Sequence, residues 1–145
     1  MARKIKTGKL DKKKIPASNA KSPGKNTFVE RREAHMINDP LRVVFSTAPA
    51  DEAETLALKL LQERLAACVN LVPGVSALYW WEGQIERSAE TLLILKTPAS
   101  KINALRRRLR DLHSYSVPEF LALQVLEVNP AYATWAAKET GTLKP

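Results

Sequence analysis

The stretch that decides the fold is residues 68–97, which read CVNLVPGVSALYWWEGQIERSAETLLILKT. Cys68 to Trp81 is rich in β-branched and aromatic residues and predicts a strand, with Pro73-Gly74 marking a bend or bulge inside it. Glu82-Gly83-Gln84 predicts a turn. Ile85 to Thr97 predicts a second strand, and its TLLILKT end is apolar on both faces, as in the centre of a sheet. The two strands together predict a long β-hairpin.

The chain before this hairpin predicts one strand and one helix. Leu41 to Ala48 is short, apolar and β-branched and ends at Pro49, which is typical of a strand. Acidic residues then occupy the first turn of a helix, where the helix dipole favours them. Apolar residues follow at helical spacing, and one helix face is therefore expected in the core: Ala53, Leu56, Ala57, Leu60, Leu61 and Leu65.

The chain after the hairpin predicts a helix, a strand and a final helix. Between Pro98 and His113 the leucines keep helical spacing while arginines occupy the other faces, so this helix has a basic outer side. Tyr115 to Pro118 predicts a polar connection. Glu119 to Val128 predicts a fourth strand, and Pro130 to Thr140 predicts a terminal helix with proline in its first turn.

The resulting order is βαββαβ with one further helix. It predicts an α+β, ferredoxin-like sandwich, in which an antiparallel four-stranded sheet carries two helices on one face. The other sheet face would then be apolar and uncovered, which predicts assembly with further copies. Trp80 and Trp81 are adjacent on a strand and must point to opposite faces, so one of them is expected to pack outside the core of its own chain.

Composition and charge divide the chain into a tail and one domain. Residues 1–40 hold 11 Lys or Arg against 4 Asp or Glu, whereas residues 41–145 hold 12 against 11. The segment 1–38 shows no periodicity and predicts a disordered basic tail, and residues 39–145 predict the folded domain. The tail is interpreted as a solvated appendage, a non-specific phosphate-binding arm, or a stretch ahead of a true start at Met36.

Several classes of protein are not favoured by this sequence. No Gly-rich phosphate loop, HExxH or other catalytic motif occurs, so no enzyme is predicted. No apolar run approaches the length of a membrane span, and no membrane partner is expected. Cys68 is the single cysteine, which excludes an internal disulfide and favours a reducing, cytoplasmic location. Taken alone, Cys68 is interpreted as a small buried residue or a soft metal ligand, and His113 as a helix cap or a ligand.

Five segments carry a resemblance to a known family. They are FSTAPADEAE (45–54), LAACVN (65–70), YWWEGQIE (79–86), LILKT (93–97) and HSYSVPE (113–119). In order and spacing they closely resemble the divalent-cation tolerance proteins called CutA. The similarity runs from about Arg42 to Trp135, and the tail lies outside it.

The resemblance implies a ferredoxin-like subunit in a homotrimer of PII-like architecture, associated with tolerance of copper and other divalent cations and with no family-wide reaction. Cys68 matches the cysteine of the family's AACVN segment, and His113, Tyr115 and Glu119 match its H-x-Y-x-x-P-E connection. A thiol, an imidazole and a carboxylate suit copper or zinc, so Cys68, His113 and Glu119 are the predicted metal ligands if they meet across a subunit boundary. The predicted residues of the intersubunit cleft are Lys96, Trp81, Glu82 and Tyr115.

This chain also departs from the family pattern. Ser46 stands where some relatives have a cysteine, and the second helix offers Arg106, Arg107, Arg108 and Arg110 where a second cysteine is found. Hydroxyl and guanidinium groups do not replace thiolates as copper ligands. Ser114 and Ser116 replace the usual proline and glutamate of the connection, which predicts a less anionic cleft.

Three functions follow from these observations. The first is a trimeric metal-tolerance protein that binds a divalent cation or responds to one. The second is a PII-like signalling or scaffold trimer that binds a small anion or a partner protein through Lys96 and the arginines of the second helix. The third, RNA binding, is not favoured because the central strand TLLILKT has no aromatic residue for stacking bases, and the first strand has only Phe45.

Overall fold

The computed structural model of the protein describes residues 39–143. The tail predicted at 1–38 lies outside the described residues. The elements are β1 (Leu41–Pro49), α1 (Ala53–Gln62), β2 (Cys68–Trp81), β3 (Gln84–Pro98), a 3-10 turn (Ala99–Lys101) that leads into α2 (Ile102–Leu112), β4 (Leu121–Gln124) and α3 (Pro130–Glu139). Within residues 39–143, every helix is too short or too polar to cross a lipid bilayer.

The strands form one antiparallel sheet in the order β2-β3-β1-β4. The two halves of the chain thus contribute one central and one edge strand each, with α1 and α2 on the same side. This is the α+β, ferredoxin-like arrangement, and the prediction of the fold class is confirmed.

The core lies between the sheet and the helix pair α1 and α2. Alternate residues of β1 and β3 point into it, so that Val44, Leu93 and Leu95 are fully buried, and Leu60 of α1 and Leu105 of α2 close it from the other side. The alternation follows from the pleat of a strand, which sends successive side chains to opposite faces.

The long hairpin is formed as the sequence predicts. The pairing of β2 with β3 shifts register between Val72 and Val75, where Pro73 and Gly74 stand. At the tip, Glu82 has a φ of 49° and Gly83 a φ of 81°. Two consecutive positive φ angles are typical of a type I′ turn, which matches the twist of a two-stranded hairpin.

The fourth strand is much shorter than predicted. Instead of Glu119 to Val128, only Leu121–Gln124 is strand, and it pairs with Arg42–Phe45 of β1. Gln124 already faces Arg42, one residue from the start of β1, so the residues after it have no partner strand. At the first end of β4, the backbone pairing with β1 stops at Leu121. Beyond it, the Ser46 hydroxyl donates a hydrogen bond to the Glu119 carbonyl at 2.8 Å.

The second face of the sheet is only partly covered. Helix α3 contacts β3 and places Tyr132 beside the Cys68 thiol at one end of this face. Elsewhere it stays open, with Leu121 and Leu123 exposed. Trp80 is 72% exposed and Trp81 is 46% exposed, so neither tryptophan enters the core of the chain.

Candidate functional site

A cleft of about 750 Å³ opens just before β4 begins, where the connection 113–119 runs past the end of β1. The hairpin forms its other wall. Three aromatic rings line it, from Tyr79, Trp81 and Tyr115, together with two carboxylates, Glu90 and Glu119. Its remaining described lining consists of small, apolar or hydroxyl side chains.

His113 fixes the connection that forms one wall of this cleft. Its backbone N–H ends α2 by donating to the Leu109 carbonyl at 3.0 Å, which agrees with a cap at this position. The ring Nε2 donates to the Thr47 carbonyl at 2.8 Å, and Nδ1 accepts from the Tyr115 N–H at 3.0 Å. Because a carbonyl can only accept and an amide N–H can only donate, these bonds define the tautomer. Both ring nitrogens are therefore already in use.

Glu90 is the buried acid of the cleft, and it was not predicted from the sequence. Its side chain is only 4% exposed, and its Oε1 accepts from the Tyr115 hydroxyl at 2.8 Å and from the Ser88 hydroxyl at 3.0 Å. Burial acts to raise the pKa of Glu90, but hydrogen bonds from Thr47, Tyr115 and Ser88 outweigh it and hold the pKa below its usual value. The carboxylate is thus ionised at neutral pH.

Tyr115 is one of the residues that donate a hydrogen bond to Glu90. Burial, followed by its hydrogen bond to the Glu90 carboxylate, raises the pKa of Tyr115 to about 12. The ring also packs against His113, with the two ring centroids 4.8 Å apart. Tyr115 therefore links the buried acid to the connection. The available sequence signal for Glu90 was a carboxylate directly before TLLILKT, the part of β3 that is apolar on both faces.

The predicted site residues fall into two groups. Trp81, Tyr115 and Glu119 line the cleft, and His113 lies directly behind it. Cys68 and Lys96 face each other on β2 and β3. Lys96 lies six positions after Glu90 along β3, roughly 20 Å of strand.

Glu82, the remaining predicted cleft residue, occupies the exposed hairpin turn. It is not among the cleft-lining residues of the described chain.

Cys68 and Lys96 have local partners at their own end of the sheet. The Cys68 thiol lies beside the Tyr132 hydroxyl, and burial together with this thiol raises the pKa of Tyr132 to about 12. Lys96 donates to the Asn70 side chain and to the Ile94 carbonyl. Within residues 39–143, no three His, Cys, Asp or Glu side chains are grouped to hold a metal ion. A site that includes Cys68, His113 and Glu119 would need more than one subunit.

The arginines of α2 face away from the cleft. Arg108 makes a forked ion pair with Glu63, with nitrogen-to-oxygen distances of 2.7 to 2.9 Å, and this bond lowers the pKa of Glu63. Arg110 pairs with Asp111. Among the described residues that line the cleft there is no Lys or Arg.

Comparisons with known proteins agree with this architecture. The family model "CutA1 divalent ion tolerance protein" matches residues 42–139. The divalent-cation tolerance protein CutA of Thermus thermophilus is 44% identical over 100 residues, which is 68% of this chain and 97% of the relative. Protein CutA 1, chloroplastic, of Oryza sativa is 42% identical over 111 residues, 76% of this chain and 63% of the relative.

Solved structures give the same result. The crystal structure of CutA from Xylella fastidiosa superposes with a TM-score of 0.68 at 43% identity, covering 70% of this chain and 98% of that one. The Thermus thermophilus protein superposes with a TM-score of 0.67 at 43% identity, covering 70% and 99%. The family match spans most of the chain, from the second residue of β1 to the end of α3, and the chain therefore belongs to the CutA1 divalent ion tolerance protein family.

Proposed function

We propose that this protein acts in divalent-cation tolerance as a homotrimer that takes up a divalent metal, such as copper or zinc, at the boundaries between its subunits. The observation that carries the proposal is the charge of the cleft. Glu90 and Glu119 are its charged side chains, and no Lys or Arg is present among its described lining. Such a site attracts cations and repels anions. No catalytic step is part of the proposal.

The hairpin supports assembly with further copies. Leu78 is 60% exposed, Trp80 is 72% exposed and Ile85 is 63% exposed. Trp80 and Ile85 face each other across the hairpin, so their apolar surfaces are continuous. Exposed apolar patches of this kind mark protein interfaces, and tryptophan is enriched where binding energy concentrates. The number of three subunits comes from the family resemblance.

The proposed metal ligands are Glu119 and His113 of one subunit and Cys68 of a neighbour. Carboxylate, imidazole and thiolate together suit copper or zinc. His113 would have to release either the Thr47 carbonyl or the Tyr115 N–H to bind metal. Metal uptake would therefore be coupled to a movement of the connection 113–119.

Calorimetric titration with Cu²⁺ or Zn²⁺ tests this proposal. The two histidines of the chain give a matched pair, because His113 borders the cleft and His35 lies in the tail. We expect His113→Ala to weaken binding by at least about tenfold and His35→Ala to leave it unchanged. Glu119→Gln, which keeps the backbone bond to Ser46, is expected to weaken it as well. Indistinguishable titrations of wild type, His113→Ala and Glu119→Gln would contradict these ligands.

A second candidate function is a PII-like trimer that binds a small anion or a partner protein. The volume of the cleft favours it, because about 750 Å³ is the size of a small-molecule site. Lys96 and the arginines of α2 would then have to be supplied by a neighbouring subunit. A thermal-shift screen tests the small-ligand version, which predicts stabilisation by at least one anion or nucleotide and is contradicted if none stabilises the protein.

The cytoplasmic location is part of the proposal as well. The rice relative is named as chloroplastic, so members of the family occupy more than one compartment. Immunolocalisation of the full-length protein in its own cells tests this proposal. Signal in the cytoplasm would support it, and signal confined to an organelle would contradict it.

A further inference from the structure

We propose that the cleft binds a small organic cation, an ammonium group carried on an apolar body, with the Glu90 carboxylate as its counterion and the Tyr79 and Trp81 rings against the body. This inference goes beyond metal binding. It rests on Glu90, which is not one of the proposed metal ligands, and it does not require a metal.

The first step is the unbalanced charge of Glu90. The ion pairs formed within residues 39–143 join Arg64 to Glu139, Arg108 to Glu63 and Arg110 to Asp111. Glu90 belongs to none of them, and its hydrogen-bond donors are neutral hydroxyls. The ionised form of Glu90 is held by these hydrogen bonds, with His113 acting in the same direction, and not by an ion pair with a Lys or Arg of the described residues. A cationic ligand would place a full positive charge beside this stably ionised carboxylate.

The second step is the free acceptor capacity of this carboxylate. The hydroxyls of Ser88 and Tyr115 both donate to the same oxygen, Oε1. With Thr47 as a third donor, the roughly four lone-pair sites of an ionised carboxylate still leave acceptor capacity for one donor from the cleft. An ammonium group has up to three N–H donors and a full positive charge, and it fits this acceptor.

The third step is the size and chemistry of the walls. A bare divalent ion needs several oxygen, nitrogen or sulfur ligands at about 2.0–2.6 Å, and the described residues of one chain group no three such acidic, histidine or cysteine side chains. The cleft of about 750 Å³ instead has apolar and aromatic walls, which include Leu78, Tyr79, Trp81 and Val117. Aromatic faces attract cations, and Trp does so most strongly. An organic body would fill space that a metal ion leaves empty.

A charge series of small ligands tests the proposal on the wild-type protein. Benzylammonium, benzyl alcohol and benzoate share one ring and differ in charge, and each is titrated by calorimetry into the full-length protein in a buffer with a metal chelator. We expect benzylammonium to bind, benzyl alcohol to bind at least about tenfold more weakly and benzoate to be weaker still. Equal binding of benzylammonium and benzyl alcohol would overturn the proposal. So would the absence of benzylammonium binding, which is also the result expected if a neighbouring subunit's side chain fills the cleft.

Two variants assign the charge to Glu90. Glu90→Gln keeps the shape and one acceptor oxygen while removing the charge, so benzylammonium should bind at least about tenfold more weakly and benzyl alcohol should be unaffected. Glu54→Gln, on the exposed side of α1, is the matched control and should change nothing. Unchanged benzylammonium binding in Glu90→Gln would overturn the assignment.

If Glu90→Gln fails to fold, Trp81→Leu replaces it as the variant and should weaken benzylammonium binding by loss of the ring. Failure of this inference would leave the metal titrations with His113→Ala untouched, so the two proposals are distinguishable.

Discussion

Two parts of the sheet, the part under the helices and the outer end of the hairpin, differ sharply in how far one chain covers them. Under the helices, Val44, Leu93 and Leu95 are 0% exposed, because α1 and α2 pack directly over them. Along the outer hairpin, Leu78 and Trp80 are 60% and 72% exposed. Both regions are apolar in sequence, so composition does not separate them. We infer that the part under the helices supplies the stability of the single chain, and the proposed role of the hairpin end is to supply surface for other copies.

The largest expected effect is a loss of stability when the core under the helices is disrupted. Leu95→Ala would leave a cavity in the core and should lower the free energy of unfolding by about 2–5 kcal/mol, measured by urea denaturation followed by circular dichroism. Leu58→Ala removes the same atoms at a position that is 49% exposed on α1, and it should lower the free energy of unfolding much less. Equal losses from the two variants would contradict the role of the residues under the helices as the core of the single chain.

The next largest expected effect is on subunit association through the outer end of the hairpin. Trp80→Ala should weaken subunit association by about 2 kcal/mol or more while the circular dichroism spectrum stays unchanged, because the ring is exposed in the single chain and is proposed to anchor the interface. Light scattering over a dilution series would measure the shift towards single chains. Leu126→Ala, at a position that is 92% exposed outside the hairpin, is the control. An unchanged dilution series for Trp80→Ala would contradict the interface role of the hairpin.

A smaller loss of stability is expected at His113, which connects the end of α2 to the end of β1. His113→Ala removes the bonds to the Thr47 carbonyl and the Tyr115 N–H and should lower the free energy of unfolding by about 1–3 kcal/mol with no metal present. Ser116→Ala, at an exposed position of the same connection, should have almost no effect. If both variants match wild type, His113 does not hold the connection.

The smallest expected effect is a pH dependence at Glu90. The folded state holds its pKa below the ordinary value of 4.5, so the stabilisation is present above pH 4.5 and is lost as the pH falls through the folded-state pKa. Unfolding measured at a series of acidic pH values should therefore show a shallower loss of stability for Glu90→Gln than for wild type. Parallel curves would show that Glu90 has no lowered pKa in the folded protein.

Local signals predicted most of the fold. Pro73-Gly74 predicted the shift in the hairpin, the glycine at 83 predicted its turn, and helical periodicity predicted α1 and α2. The extent of β4 was wrong because it depends on where its partner β1 begins, about eighty residues earlier in the chain. Pairing across such a distance leaves no local pattern at Glu119 to Val128.

The site was less predictable for the same physical reason. Glu90 acquires its role from Tyr115, which is 25 residues away in sequence and reaches it only after α2 has folded back over the sheet. The metal ligands Cys68, His113 and Glu119 came from the family resemblance and remain a prediction. Adjacent Trp80 and Trp81 showed correctly that both could not enter one core, but strand alternation does not tell what covers them.

The mass of the assembled protein tests the central claim, that other copies cover the hairpin, most directly. Native mass spectrometry of the full-length protein, purified without tag or chelator, reports the oligomer and any bound metal in the same spectrum. The account predicts a complex of three chains of 16.2 kDa each. A single 16.2 kDa chain at micromolar concentration would contradict it, because the exposed surface of Leu78, Trp80 and Ile85 would then have no partner.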